Sequence, residues 1–525
     1  MQRTKSRTKL ALRNIGTSFV VRLIKTVLTF VVRTVFIYTL GKTYLGINGV
    51  FTSILNMLAL TELGFGTTIV FHLYKPLAYK DDKRVRILLK FYKFAYRIVG
   101  FVILGIGLCL IPLLPYIIRD YNSLDALGIN VTIVFVIYLL QSAASYLLFA
   151  YRQTVIEADQ RKYIVDIVGC GKLIIESILQ ILALVFLQDF VVYLLCSLLC
   201  TVIFNIVNGG IARYYYPDFF VFEEEQLKKH EIFELLKDCG AMFLFRIESV
   251  VLKATANMVL SIFSGLAIVG IYSSYLLIIN ALRGFLEKFY SSVKHSMGNL
   301  YAVGNIEEKF RFFEIMNFIT VILYGITSIG LIVCSNEFIL AWIGSDYILP
   351  QPFPFLIGIE MLFDGLVRNL TQIRNISGAF RQLWYRPILS IVVNVVTSVF
   401  LVQYYGINGV IIGGIFSYLF VGMVIDTYIV MKVCLEDYKT VSFYYKKNLG
   451  YIIVLFLVGI INYSIANCLL FEHRWFSFFF HGIVIVLTVP SVFFIIYHDT
   501  EECVYILNLI KKILHKNFSP KRINF

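Results

Sequence analysis

Charged residues are scarce in this chain of 525 residues, because Asp, Glu, Lys and Arg together make up only 15% of it. Hydrophobic residues account for 59%, and the mean hydropathy is +0.79. A water-soluble globule with one apolar core needs a more polar surface than this composition provides. The composition therefore excludes that class and predicts a polytopic membrane protein.

The sequence also lacks clustered cysteines and histidines. The nine cysteines are scattered, and the closest pair, Cys196 and Cys200, lies within an apolar run with no histidine nearby. This spacing excludes a convincing metal site or disulfide framework. The chain contains no Gly-Lys-Ser/Thr phosphate loop, and its seven histidines form no cluster. We therefore predict that the protein is not an enzyme and holds no cofactor or metal.

Apolar runs are abundant. The first follows a basic opening and is too long for a signal-peptide core, so we expect an uncleaved first helix. Hydropathy read over a helix-length window predicts fourteen membrane spans. They lie near residues 14–40, 46–71, 88–118, 130–150, 164–188, 190–212, 238–264, 267–290, 311–334, 353–375, 387–405, 407–432, 449–470 and 477–497.

The distribution of positive charge predicts the orientation of these spans. If the N-terminus is cytoplasmic, the outside loops hold only Lys42, Arg119 and Arg474 of the 47 Lys and Arg residues. This bias places both termini in the cytoplasm. It also explains most of the net charge of +14, so nucleic acid is not needed as a partner.

The chain repeats itself weakly. When residues 19–60 are aligned with the residues 224 positions later in the chain, ten positions are identical. Among them, Arg22, Gly41, Gly46 and Asn56 align with Arg246, Gly265, Gly270 and Asn280. A shift of 222 positions aligns Arg152, Gln160 and Tyr163 with Arg374, Gln382 and Tyr385. We infer a six-helix lobe at 1–222, a second at 223–436, and two added helices with a basic tail at 437–525. Both lobes have the same orientation, so an axis along the membrane normal should relate them.

Two predicted spans carry a polar stripe. With 100° per residue, the polar residues around Arg22 fall on one face of the first helix, and those around Arg246 fall on one face of the seventh. Five cations at the bilayer centre would cost about 12–17 kcal/mol if they faced lipid. Snorkelling to headgroups is the alternative. We prefer a central cationic cavity for an anionic substrate, lined by Arg22, Lys25, Arg33, Arg246 and Lys253, with Ser18, Thr29, Asn56, Asn257 and Asn280 as neutral hydrogen-bonding groups.

A few carboxylates also lie within predicted spans. Lys172 and Glu176 are one helical turn apart, as are Asp364 and Arg368. The two opposite charges of each pair can therefore neutralise each other. Together with Glu62 and Glu248, these carboxylates are alternatively the groups that could bind a coupling proton or sodium ion.

Several longer stretches resemble a known family. They are YLGINGVFTSILNMLALTELGFG (44–66), YKPLAYKDDKRV (74–85), YRQTVIEADQRKYIVDI (151–167), NISGAFRQLWYRPILSIVVNVVTS (375–398) and YYGINGVIIGGIFSY (404–418). They are similar to the polysaccharide transport family of the MOP flippase superfamily, and more narrowly to Wzx-type flippases for capsule, exopolysaccharide or O-antigen repeat units.

The resemblance implies an all-α, V-shaped, MATE-like bundle of two six-helix lobes. It implies translocation of undecaprenyl-pyrophosphate-linked oligosaccharides to the outer leaflet of the bacterial cell membrane by alternating access, with membrane lipids and a polysaccharide polymerase complex as partners. An ion-coupled MATE-like drug antiporter would share the fold, but a cationic substrate should meet carboxylates, and the first helix has none. A glycosyltransferase or polymerase would need a catalytic acid or base, for which we find no candidate.

Overall fold

The computed structural model describes residues 2–59, 65–119, 121–126, 128–221, 227, 230–232, 243–379, 383–436, 439–469 and 471–518, and these ranges contain helices and no strand. This agrees with the predicted all-α class. Only a helix or a closed barrel satisfies the backbone polar groups inside a bilayer. The first seven long helices are α1 Gln2–Leu58, α2 Phe65–Tyr79, α3 Asp82–Leu110, α4 Val131–Leu147, α5 Ala150–Ala158, α6 Lys162–Leu182 and α7 Phe190–Tyr215.

Nine more long helices follow within the described ranges. They are α8 Phe243–Phe263, α9 Leu266–Val303, α10 Ile306–Trp342, α11 Phe353–Ile376, α12 Arg386–Tyr405, α13 Ile407–Phe416, α14 Val441–Cys468, α15 Arg474–Ile496 and α16 Glu501–Phe518. A π-helical segment, Ser417–Asp426, continues α13.

Every predicted span overlaps one of these helices. Within the described ranges, nine helices are long and apolar enough to cross a membrane, or ten if the bent pair α4 and α5 counts as one span. The chain is therefore a multi-pass membrane protein. The helices α1, α8 and α11 carry internal charges, and the count of fourteen spans stays a prediction.

Helix starts are set by side-chain caps. Asn130 and Asp189 accept hydrogen bonds from the backbone N–H of Ile133 and Val192, at 3.0 Å each. Asn305 forms a full capping box with Glu308. These polar residues satisfy backbone donors that have no partner inside the helix, and so fix where α4, α7 and α10 begin.

The chain divides into two compact units, Met1–Ser273 and Ser274–Phe525, with the boundary inside α9. In the first unit α1 packs against α6 and α8, and α3 packs against α4. The helix α1 bends at Gly41, whose φ of 80° lies in the region that favours glycine. The break between the first two predicted spans falls at this residue.

A separate apolar cluster joins α2, α3 and α5 in the first unit. Leu73, Leu89, Tyr92 and Val155 are buried there, as is Leu227. The sequence predicts an amphipathic connector at 218–238. Of its predicted apolar residues, Leu227 and Ile232 pack on this cluster, and Glu231 pairs with Arg84 at 2.8 Å. The remaining two, Leu235 and Leu236, lie outside the described residues.

In the second unit, α14 and α15 pack on α10 and share one apolar core with α11. Polar bonds reinforce this packing. Asn317 of α10 donates to Asn448 of α14 at 3.1 Å, and Asn462 of α14 donates to Thr488 of α15 at 3.0 Å. The last two predicted spans are therefore part of the core of the second unit, a role that the sequence leaves open.

Candidate functional site

The predicted cationic stripe of the first helix begins on an exposed face of α1. Arg22 and Lys25 are exposed, and the hydroxyls of Thr26 and Thr29 donate to the backbone carbonyls of Arg22 and Lys25 at 3.0 and 2.7 Å. Both hydroxyl donors therefore already have an acceptor within their own helix. The whole of α1 contains no Asp or Glu. This face presents positive charge with no carboxylate on the same helix to neutralise it.

Arg33 lies two to three turns further along α1 and is half-buried. Its guanidinium donates to the backbone carbonyl of Ser273 at 3.3 Å. It also lies within electrostatic range of the hydroxyls of Tyr138 on α4 and Tyr193 on α7. Arg33 therefore faces polar groups of the first unit, in contrast to Arg22 and Lys25.

The helix α8 carries the second predicted set. Lys253 is exposed, Arg246 is half-buried, and Glu248 is 8% exposed. Asn257 is buried, and its amide donates to the Ser53 hydroxyl at 2.9 Å and to the Gly49 carbonyl at 3.3 Å. The helices α1 and α8 pack against each other within the first unit, so this unit contains all five predicted cations.

The contact between α1 and the start of α9 requires two glycines. A Cβ atom on Gly46 would lie 2.0 Å from the Leu266 carbonyl oxygen, and a Cβ atom on Gly270 would lie 2.0 Å from the Lys42 carbonyl oxygen. The shift of 224 positions relates Gly46 to Gly270 and Lys42 to Leu266. The same shift relates Arg33 to Asn257 and Gly49 to Ser273. The contacts at this crossing thus follow the repeat found in the sequence.

The remaining neutral candidates differ in their surroundings. The Ser18 hydroxyl donates to the Asp166 carboxylate of α6 at 2.5 Å, whereas Asn56 in the first unit and Asn280 in the second are exposed. Glu62 lies outside the described residues. The sequence analysis did not identify Asp166, because its partner Ser18 is 148 positions away in the chain.

Lys172 and Glu176 belong to a polar network between α4, α6 and α7. Their charged groups are 3.7 Å apart. Lys172 also donates to Thr201 at 3.0 Å, and Ser197 donates to Glu176 while it accepts from Gln141 at 2.7 Å. Because each charge has partners within the unit, this network supports helix packing.

Asp364 and Arg368 form part of a larger cluster in the second unit. Arg368 lies 3.6 Å from Asp364, and Arg283 of α9 lies 3.0 Å from Asp364 and 3.7 Å from Glu360. Sequence reasoning paired Asp364 with Arg368 alone. Arg283 and Glu360 extend the cluster, and Glu287 of α9 lies 3.8 Å from Arg368, so two arginines face three carboxylates.

A second buried ion cluster was not predicted. Asp426 is 0% exposed and pairs with Arg374 of α11 and with Arg386 of α12, the latter at 3.0 Å. Arg374 and Arg386 are themselves only 2% and 7% exposed. Asp426 thereby ties the end of α11 to the start of α12.

These arrangements differ in the chemistry they offer. The clusters at Glu176, Asp364 and Asp426 pair each charge with its opposite, whereas Arg22, Lys25 and Lys253 are exposed cations on helices that pack together. No group of three or more His, Cys, Asp or Glu side chains in the described part of the chain could hold a metal ion. The exposed cations suit an anion, and arginine suits one with several oxygen atoms.

Comparison with known proteins identifies the fold. No protein-family model and no curated protein matches the sequence. The structure is similar to lipid II flippase MurJ in its inward closed conformation, with a TM-score of 0.61 and 14% identity over 91% of this chain and 99% of that one. It is also similar to an inward-facing multidrug resistance MATE family transporter of the MOP superfamily, with a TM-score of 0.56 and 15% identity over 79% and 96%. The chain therefore shares the fold of these two proteins, in agreement with the predicted fold class.

Proposed function

We propose that this protein is a flippase for undecaprenyl-pyrophosphate-linked oligosaccharides, which it moves from the cytoplasmic to the outer leaflet of a bacterial cell membrane for export of a surface polysaccharide. The observation that carries the proposal is the exposed positive charge on a helix without carboxylates, within this fold. Arg22 and Lys25 of α1, with Arg246 and Lys253 of α8, would replace the water around the pyrophosphate.

Arg33 completes the proposed set at a deeper position on α1. Its half-buried guanidinium already has a carbonyl acceptor, so we assign it a supporting charge. Asn56 of the same unit is an exposed amide that suits hydroxyl groups of sugar. In contrast, Ser18 and Asn257 already bond to protein groups, and we place them in helix packing.

The fold is consistent with this proposal in two ways. A structure of similar fold is that of a lipid II flippase, a protein named for the transport of a lipid. A bundle of helices whose outer surfaces are rich in exposed apolar residues, such as Phe19, Val27 and Phe101, also lets a polyprenyl tail stay in lipid during transport.

An ion-coupled antiporter of drugs or other small molecules is the second candidate. The observation in its favour is the cluster around Asp364 and Glu360 in the second unit, together with the similarity to a MATE transporter. In that case the carboxylates of this cluster, or Glu176 in the first unit, would bind the coupling proton or sodium ion. The pairing within the cluster weighs against it, since each of its three carboxylates, Glu360, Asp364 and Glu287, already faces an arginine.

The deciding experiment is flipping of a purified undecaprenyl-pyrophosphate oligosaccharide in proteoliposomes. We expect flipping by the wild type and its loss in an Arg22→Ala, Arg246→Ala double variant. Arg311→Ala is the matched control, because Arg311 is 60% exposed and pairs with Glu501 on the surface of the second unit. Flipping by all three proteins would show that the substrate does not depend on Arg22 and Arg246. If a folded wild type flips no lipid with or without ion gradients, the flippase proposal is wrong and antiport must be tested.

A further inference from the structure

A carboxylate and an imidazole meet between two helices of the second unit. The Nδ1 atom of His481 on α15 lies 2.9 and 3.1 Å from the two carboxylate oxygens of Glu337 on α10. The Ser477 hydroxyl donates to the same carboxylate at 3.2 Å. The His481 side chain is 2% exposed and that of Glu337 is 24% exposed. At 1.5 Å per residue, the pair lies about 8–10 Å from the ends of α10 and α15 that the charge bias assigns to the outer face.

The other ring nitrogen of His481, Nε2, is buried and has no hydrogen-bond partner in the part of the chain that the structure describes. The rings of Phe471 and Phe480 flank the imidazole, with centroids 6.2 and 5.7 Å away. A carboxylate only accepts hydrogen bonds, so Nδ1 carries the hydrogen that it donates to Glu337, and Nε2 of the neutral ring keeps a lone pair. Nε2 can therefore accept one proton. The net charge of the pair then changes from −1 to zero, because an imidazolium faces the carboxylate.

Glu337 differs in its partners from the other carboxylates that lie within predicted spans. Asp364 and Asp426 face arginines, and Glu176 faces a lysine. Among the described residues, the hydrogen bonds of the Glu337 carboxylate come from a hydroxyl and an imidazole. Residue 470, which follows α14 and lies outside the described ranges, is a leucine and carries no charge. The net charge at Glu337 therefore depends on whether the pair holds a proton.

Other titratable and charged groups lie on the elements around the pair. The buried Cys334 thiol of α10 is within electrostatic range of Glu337. The Tyr275 hydroxyl of α9 donates to Asn336 and accepts from the backbone N–H of Leu349. The remaining groups are exposed and stand at or beyond the helix ends, at Asp346, Cys468, Glu472, His473 and Arg474. The guanidinium of Arg474 donates to a backbone carbonyl at 3.4 Å. None of these groups is bonded to the pair within the described ranges.

Helix packing alone does not require groups that titrate. The same helices are joined by neutral side chains, because Asn317 of α10 donates to Asn448 of α14, and Asn462 of α14 donates to Thr488 of α15. These bonds do not change with pH. Ionisable side chains inside a membrane are costly, and they commonly belong to paths for protons or ions. A buried carboxylate and imidazole in contact therefore point to a site for a proton.

We infer that Glu337 and His481 bind one proton, and that the protein flips lipid in the state that holds this proton. The proton comes from water and adds to Nε2, and only the N–H bond is formed. The bound proton removes the net charge of the pair, so the helices that carry it can move within the membrane at a lower cost. The part of this inference that concerns flipping rests on the proposed function, whereas proton binding does not.

The first test measures proton binding without substrate. Solid-state ¹⁵N NMR of the histidine-labelled full chain in phosphatidylcholine bilayers is recorded from about pH 5 to pH 8, the range in which histidine side chains change charge. The His481 signal is the one absent from a His481→Asn variant. We expect it to change from a neutral ring protonated at Nδ1 to an imidazolium as the pH falls. In Glu337→Gln the imidazolium loses its carboxylate and should form to a smaller extent at each pH. A His481 signal that keeps one protonation state throughout would overturn the inference.

The second test measures flipping in proteoliposomes with the same pH on both sides. If only the protonated pair permits flipping, the wild-type rate should fall as the pH rises, by up to about tenfold per pH unit. His481→Asn retains an amide donor in place of Nδ1 but cannot take up the proton, so its rate should be low and vary little with pH. His498→Gln is the control, since His498 is 64% exposed and pairs with Asp499 at 3.0 Å, and its rate should follow that of the wild type.

The outcomes separate this inference from the proposed function. Size-exclusion profiles and unfolding temperatures check that each variant is folded. Titration of His481, together with a lost pH dependence in folded His481→Asn, would support the inference. A pH profile of this variant equal to that of the wild type would overturn it, because the pair would then only join two helices. If the wild type flips no lipid at any pH, the proposed function is wrong, and the NMR titration still decides whether the pair binds a proton.

Discussion

Arg33 and Asn257 stand 224 positions apart and make equivalent hydrogen bonds across one helix crossing. Arg33 donates to the carbonyl of Ser273 and Asn257 donates to the carbonyl of Gly49, each at 3.3 Å. The same shift relates the two acceptors. One member of the pair is charged and the other is neutral, so the crossing keeps its geometry while its chemistry differs between the repeats.

The glycines at this crossing give the first prediction. Replacing Gly46 or Gly270 by alanine forces a Cβ atom onto a backbone oxygen at 2.0 Å, which neither helix can avoid without moving. We expect each variant to lose about 1–3 kcal/mol or more of stability, measured as a lower unfolding temperature in detergent. Gly105→Ala on α3 is the control, since no atom lies within 4 Å of its added Cβ. A Gly46→Ala protein as stable as the control would contradict the packing described above.

The second prediction concerns Asp426. Replacing it by asparagine removes the carboxylate that the buried Arg374 and Arg386 both contact. Removing one partner of a buried ion cluster costs about 3–5 kcal/mol, so we expect poor expression or a strongly lowered unfolding temperature. Asp499→Asn should change little, because Asp499 is 89% exposed. Equal unfolding temperatures for the two variants would show that the buried cluster contributes no stability.

The third prediction separates charge from shape at Arg22. Arg22→Lys keeps the positive charge on the exposed face of α1, whereas Arg22→Gln keeps similar size without it. If the pyrophosphate is held electrostatically, the glutamine variant should flip lipid at least about tenfold more slowly, equivalent to about 1.4 kcal/mol. The lysine variant should remain closer to the wild type. Similar initial flipping rates for both variants in proteoliposomes would exclude a role for the charge.

The fourth prediction concerns the pH dependence of α16. Burial raises the pKa of Glu502, but the hydrogen bond and charge of Lys447 of α14, a backbone hydrogen bond and the Thr500 hydroxyl together outweigh burial and leave the pKa below 4.5. The charged form therefore stabilises docking of α16 above the unfolded pKa, and this contribution is lost as pH falls through the lower folded pKa. Hydrogen exchange of α16 at pH 7 and pH 4 should show faster exchange relative to the intrinsic rate at pH 4.

The control for this experiment is Glu502→Gln, which removes the titrating group. It should exchange faster than the wild type at pH 7 and show a smaller change between the two pH values. Glu314 of α10 also contacts Lys447, at 2.5 Å, and is kept in both proteins. An identical pH response in the variant and the wild type would assign the effect to another group.

The fifth prediction tests the core that α15 shares with α10. Phe493 is 0% exposed and packs edge-to-face on Phe318 and at a tilt on Tyr451. Phe493→Ala should cost about 3–5 kcal/mol, measured by thermal unfolding. Phe479→Ala on the same helix should cost far less, because Phe479 is 59% exposed. Comparable losses in the two variants would mean that α15 does not pack as described.

The sequence predicted the helical class, and each predicted span overlaps a helix of the structure, because long apolar runs determine where helices lie in a membrane. It also found the repeat shift that the contacts at Gly46 and Gly270 follow. It did not find the acceptors of Arg33 and Asn257, since these are backbone carbonyls and leave no mark in the sequence. Asp426 and Glu360 were missed because each lies in an apolar stretch far in sequence from its arginine partners.

The bonds that join α14 and α15 to α10 also determine how this chain could be shortened or transplanted. Asn317 and Glu337 of α10 find their partners, Asn448 and His481, on those two added helices. Without the added helices, both side chains would meet hydrocarbon and lose those partners. A derivative without α14 and α15 would therefore need apolar residues at positions 317 and 337, and a chimaera that borrows the second unit should carry residues 274–518 as one module.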